Sequence, residues 1–187
     1  MFIQTEATPN PATVKFIPGR PVLDQGTLEF LDPNESKASP LASRLFDIDG
    51  VTGVFFGPDF ISVTKGDGEW QHLKPAILGA IMEHYLSGDA VTEGEPSGSE
   101  SSEGGEFFAL EDEETVKTIK ELLETRVRPA VAQDGGDITF QGYRDGVVFL
   151  HMRGACSGCP SSTATLRHGI ENLLRHFIPE VQEVRPV

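Results

Sequence analysis

Ile138-Thr139-Phe140-Gln141-Gly142-Tyr143-Arg144-Asp145-Gly146-Val147-Val148-Phe149-Leu150-His151-Met152 decides the fold of the C-terminal part of this 187-residue chain. Two β-rich runs, Ile138–Tyr143 and Val147–Met152, meet around Asp145-Gly146. Asp-Gly at that place favours a tight turn with positive φ at both central residues, whose twist matches that of the flanking strands. Upstream, Val116, Ile119, Leu123 and Val127 fall on one helical face, and Pro129 should bend or end that helix. Asp134-Gly135-Gly136-Asp137 reads as a turn. Downstream, Pro160 suits a first helical position, and Leu166, Ile170, Leu173, Leu174 and Phe177 line one face until Pro179. Val181 to Arg185 can return as a strand. The order α-β-β-α-β makes 110–187 a small two-layer domain.

Residues 90–106 read AVTEGEPSGSESSEGGE, with five Glu and neither a basic nor an aromatic residue. Such a stretch buries too little apolar area to offset its ordering entropy, so 90–109 is expected to be a flexible acidic linker. Residues 1–89 form a second block. Phe2–Thr5 and Thr27–Leu31 suit strands, Pro40–Ile48 a helix, and Val51–Phe56 with Phe60–Thr64 a hairpin around Gly57-Pro58-Asp59. Leu73, Ile77, Ala80, Ile81, His84 and Tyr85 recur at helical spacing until Gly88. The fold class is α+β: two small two-layer domains joined by the linker. The N-terminal one shows no reactive constellation.

The formal charge is -14 and the pI about 4.7, which argues against a phosphate-backbone partner. No stretch reaches the roughly 18 apolar residues of a membrane span. The opening MFIQTEATPNP has no basic start, no apolar core and no Arg-rich character, so a cytoplasmic location is the default expectation.

Chemistry concentrates at Arg153-Gly154-Ala155-Cys156-Ser157-Gly158-Cys159-Pro160-Ser161-Ser162, between a strand and a helix. The chain's 2 Cys are both here. A disulfide between them would close a tiny loop and constrain little. Near a helix start, backbone N–H groups favour thiolate over thiol, and the two glycines let the backbone approach a bulky anion. A cluster, a tetrahedral metal or a redox dithiol would all suit this loop. Clusters and structural zinc usually want four protein ligands. One chain offers two, so two chains about a twofold axis would offer four, which predicts a homodimer with the cofactor on its axis. A thioredoxin-type oxidoreductase would place its motif in a βαβ unit, whereas here a hairpin precedes it. Zinc stays open by the same dimer logic.

Arg128-Pro129-Ala130, Asp134-Gly135-Gly136-Asp137, Gly154-Ala155-Cys156-Ser157-Gly158-Cys159-Pro160-Ser161-Ser162, Thr165-Leu166 and Gly169-Ile170-Glu171 together resemble the NifU-like (Nfu) family of iron–sulfur cluster carriers, from about Glu114 to Val184. Phe2-Ile3-Gln4-Thr5-Glu6-Ala7-Thr8-Pro9-Asn10-Pro11 resembles that family's separate N-terminal domain. The resemblance implies a [4Fe–4S] cluster bridging two protomers through Cys156 and Cys159, received from an upstream scaffold and passed to apo iron–sulfur proteins. Four irons rather than two rests on the resemblance alone. It also implies a part in partner recognition for the N-terminal domain. No general base or triad is needed, so an enzyme is not expected. Arg153, Arg167 and His168 could offset an anionic cluster, although Arg167 and His168 more simply belong to a solvated helix face. His72, His84, His151 and His176 are read as ordinary structural or surface residues.

Overall fold

The computed structural model describes residues 1–93, 106–156 and 160–187, without the side chains of 160–162. The chain divides into two compact units, Met1–Glu100 and Ser101–Val187. The mixed helix and strand content and the two units bear out the α+β class.

The N-terminal unit is a five-stranded antiparallel sheet in the order β1-β2-β5-β4-β3. Its strands are β1 (Gln4–Ala7), β2 (Thr13–Ile17), β3 (Leu28–Phe30), β4 (Val51–Phe56) and β5 (Ile61–Lys65). Helices α1 (Pro40–Phe46) and α2 (Trp70–Ser87) cover it. Ser39 caps α1 by accepting from the Ala42 N–H, and Pro40 fills the first helical position, where no N–H is needed. Gly88 ends α2 at φ 76°. Leu41, Leu45, Leu73, Ile77 and Ile81 pack on Val14, Phe16, Val54, Phe56, Ile61 and Val63 as one core.

Strand β2 was not expected. The sequence offers prolines on both sides of it and Lys15 in its middle. Lys15 is nonetheless buried, reaching Glu6 at 3.7 Å with its Nζ 4.8 Å from the Phe60 ring centroid. A strand buried on both faces shows no clean polar alternation.

In the C-terminal unit, α3 (Glu113–Leu122) passes through a π-turn (Leu123–Val127) into α4 (Arg128–Gln133). Pro129 therefore does not end the run: it stands in the first turn of α4, where its missing N–H is tolerated, just after the wider turn. Strands β6 (Gly136–Arg144) and β7 (Val147–Gly154) form the expected hairpin, with Asp145 at φ 51° and Gly146 at φ 79°. Helix α5 (Pro160–Phe177) then returns the chain to β8 (Glu183–Pro186), which pairs parallel to β7. Val116, Ile119, Leu123, Ile138, Leu150, Ile170 and Leu174 meet in a single core.

Most of the expected acidic linker, 94–105, lies outside the described residues. Its flanks are tied down. The Glu93 N–H donates to Ala38 O, Ser39 Oγ donates to Val91 O, and Phe107 pairs with β6. Among the described residues no helix is long and apolar enough to cross a membrane.

Candidate functional site

Cys156 closes the turn after β7, whose last residue, Gly154, takes φ 66°. Its side chain does not point into water. It is 6% exposed and joins the core of the C-terminal unit. Its seat is the start of β6. A Cβ on Gly136 would stand 2.7 Å from the Cys156 sulfur and 2.7 Å from the Arg153 carbonyl oxygen. Only glycine lets the sulfur lie this close. The Ala155 N–H donates to Gly135 O, and Thr163 Oγ1, in the second turn of α5, donates to Cys156 O at 3.1 Å. The loop is thus tied to the Asp134–Asp137 segment on one side and to α5 on the other.

That segment is more than a turn. Gly135 turns at φ 80°, but Gly136 and Asp137 already belong to β6, in register with Gly154 and Arg153. The Asp137 carboxylate, 4% exposed, accepts from Arg128 Nε at 2.9 Å and from Arg128 Nη2 at 3.0 Å. Arg128 also donates to Glu124 at 2.8 Å. This two-point pair clamps the start of α4 to the strand that seats Cys156. Asp137 and Glu124 hold the guanidinium more firmly charged than usual. Arg128 and Asp137 were visible only as parts of quoted motifs. Their nine-residue separation gives no periodic signal, because a helix, a turn and a strand start lie between them.

Burial pushes the Cys156 thiol up to about 12, with the Asp134 and Asp137 carboxylates adding to the effect. Desolvation thus runs against the expectation that the helix start would favour thiolate at this position. Binding an iron or zinc ion at the sulfur would have to displace the proton. Two soft sulfur donors on one loop suit such ions. Cys159 lies outside the described residues. Among the described residues no group of three or more His, Cys, Asp and Glu is placed to hold a metal.

The other sequence candidates scatter. Arg153 is half-buried on β7 opposite Asp137. His168 is exposed on α5, and Arg167, half-buried there, influences Glu183 by charge. His84 is fully buried, with neither ring nitrogen hydrogen-bonded among the described residues.

Fold and site together define a class: a two-unit α+β protein with a buried thiol in the turn that follows β7. Two family descriptions match it. "Scaffold protein Nfu/NifU N terminal" covers residues 3–88, and "NifU-like domain" covers residues 119–185. The human NFU1 iron-sulfur cluster scaffold homolog, mitochondrial, is 52% identical over all of this chain and 72% of its own length. NifU-like protein 4, mitochondrial, of Arabidopsis thaliana is 48% identical over 98% of this chain and 65% of its own. A solution NMR structure of a NifU-like protein from Saccharomyces cerevisiae overlays 51% of this chain and 87% of its own, with TM-score 0.46 and 26% identity. That overlay is too partial to bear on function.

The chain belongs to the Nfu/NifU scaffold family. It spans about two thirds of the length of several curated relatives, such as the Arabidopsis protein. Members of this family are scaffolds or carriers rather than catalysts, so the expectation of no enzymatic activity stands.

The cytoplasmic expectation does not stand. The relatives that match this chain throughout are named as mitochondrial. Gln4–Ala7, in the opening stretch read for targeting signals, form β1 of the N-terminal sheet.

Proposed function

We propose that this protein carries a [4Fe–4S] cluster between two protomers, each supplying Cys156 and Cys159, and passes it to apo-proteins during iron–sulfur protein maturation. Its domains are 1–89, a flexible acidic linker at 90–109, and the cluster-binding domain 110–187. The observation that supports the reading best is the seat of Cys156. Gly136 and the Arg128–Asp137 clamp fix the strand ends next to Cys156, from which the segment carrying the second thiol continues.

Transfer is ligand exchange. A thiolate of the recipient forms a bond to iron as the bond to Cys156 or Cys159 breaks, and the freed Cys takes up a proton. Iron and sulfide keep their oxidation states, so no external reductant is consumed. A freed Cys156 sulfur returns to a buried, proton-favouring place, which favours release over retention. The same burial argues against a thiol–disulfide oxidoreductase, whose attacking thiol needs exposure and a lowered pKa.

Anaerobic reconstitution with iron and sulfide tests this. Wild-type protein should gain both together, and Cys156→Ala and Cys159→Ala should each gain neither. Addition of an apo iron–sulfur acceptor should move the chromophore to the acceptor. Zinc retained as purified, with no exchange for iron and sulfide, would refute the proposal.

A further inference from the structure

The core-facing stripe of α5 runs through Leu166, Ile170 and Leu174, with Leu173 beside it. Extended toward the cysteine loop, that stripe reaches Thr163, at helical spacing from Leu166 and Ile170. An apolar side chain would continue the stripe. Thr163 puts a hydroxyl there instead, half-buried. Helical threonines commonly return the hydroxyl to the carbonyl four residues back. Two in this chain do so: Thr118 in α3 donates to Glu114 O at 3.0 Å, and Thr125 in the π-turn donates to Glu121 O at 2.7 Å. Thr163 reaches seven residues back, to Cys156 O at 3.1 Å.

That bond spans the whole segment from the first cysteine to α5 and closes it into a ring. The helix is itself anchored further along, where Glu171 accepts from the Val184 N–H at 3.3 Å and pairs with Arg175 at 2.9 Å. Cys156 is thus held from two sides. The Ala155 N–H to Gly135 O bond and the space over Gly136 hold it from β6, and Thr163 holds its carbonyl from beyond the second cysteine. We propose that Thr163 is a positioning residue for the cluster cargo: through Cys156 O it keeps the ligand segment closed and so sets how long a loaded chain retains its cluster. This rests on the reading of Cys156 and Cys159 as cluster ligands. Thr163 makes no bond to iron and moves no proton. A closed ring samples fewer conformations than an open segment, so a sulfur that leaves iron stays close and rebinds before a competing thiolate takes its place.

The test uses the full chain. Thr163→Val keeps a β-branched side chain and suits the apolar stripe while removing the donor; Thr163→Ser keeps the donor. In a Cys159→Ser background, iodoacetamide should modify Cys156 about fivefold faster with Thr163→Val, the protection of about one hydrogen bond. After anaerobic reconstitution with iron and sulfide, cluster absorbance should fall about fivefold faster in excess iron chelator for Thr163→Val than for wild type. Thr163→Ser should match wild type in both assays. The urea midpoint of Thr163→Val should stay at the wild-type value, because the methyl gained on the core face offsets the bond lost. A wild-type rate for Thr163→Val in either assay, or a Thr163→Ser variant that behaves like Thr163→Val, would overturn the proposal. So would a faster rate matched by a fall in the urea midpoint, which would leave Thr163 a stabiliser of the fold alone. Wild-type protein that takes up no cluster would sink the functional reading and the proposal together, whereas unchanged rates with a normally loaded wild type would sink the proposal only.

Discussion

Replacing Gly136 with Ala asks whether the cysteine loop is seated as described. The added methyl would stand 2.7 Å from the Arg153 carbonyl oxygen, 2.7 Å from the Cys156 sulfur and 3.2 Å from the Cys156 nitrogen. The carbonyl belongs to β7, held in the ladder by its neighbours, so it cannot retreat cheaply. The sulfur sits at the end of a turn and is the atom that moves. Overpacking of this kind costs about 1–3 kcal/mol. Gly→Ala stiffens the unfolded chain and returns about 0.4–1 kcal/mol, which leaves a net loss of about 1–2 kcal/mol. With a urea slope near 1 kcal/mol/M, expected for a unit this small, the midpoint falls by about 1–2 M. Far-UV circular dichroism of the full chain measures it. Fluorescence of the chain's 1 Trp, Trp70 on α2, serves as an internal control on the N-terminal unit. In a Cys159→Ser background, iodoacetamide should modify Cys156 about tenfold faster in the variant, because an opening easier by about 1.4 kcal/mol is ten times more populated. An unchanged midpoint together with an unchanged alkylation rate would refute the seat.

Further outcomes follow from the same contacts. Asp137→Asn should destabilise the C-terminal unit by about 2–3 kcal/mol in urea melts, below the full penalty for breaking a buried pair because Arg128 is 31% exposed. Arg128→Lys should recover only part of that stability, since one ammonium cannot make the two-point contact. Gly146→Ala should cost at least about 1–2 kcal/mol, read as a lowered melting temperature, because its φ is +79° and a Cβ would stand 2.9 Å from Glu180 O. His84 gives a pH dependence. Burial, helped by Arg44 and opposed by Asp89, lowers its pKa below the ordinary 6.5. The folded state therefore holds it neutral while the unfolded chain takes up a proton first. The N-terminal unit keeps its full stability above about pH 6.5 and loses part of it as the pH falls below that value. The Trp70 urea midpoint should drop between about pH 7.5 and pH 5, and His84→Leu should shrink the drop; equal midpoints at the two pH values would contradict the assignment.

Much of the architecture was legible in the chain because its punctuation is local. Asp145-Gly146, Gly88 and Pro40 each act within a few residues, and the elements they bound appeared where expected. What escaped was set by contacts distant in sequence. Strand β2 depends on Lys15 finding Glu6 on β1 and Phe60 just before β5. Asp137 looked like half of a turn until Arg128 arrived from the helix before it. The two cysteines were found at once, yet the burial of Cys156 could not be, since it follows from the missing side chain of Gly136 across the hairpin. The pairing of Phe107 with β6 was hidden because 90–109 as a whole was read as linker.

The mass of the cluster-loaded species under native conditions tests the central claim most directly. Reconstituted in the absence of small thiols, the protein should appear as two chains with four irons and four sulfides, and substitution of either Cys156 or Cys159 should leave bare single chains. A loaded species of one chain, with no added thiol completing the ligand set, would contradict it.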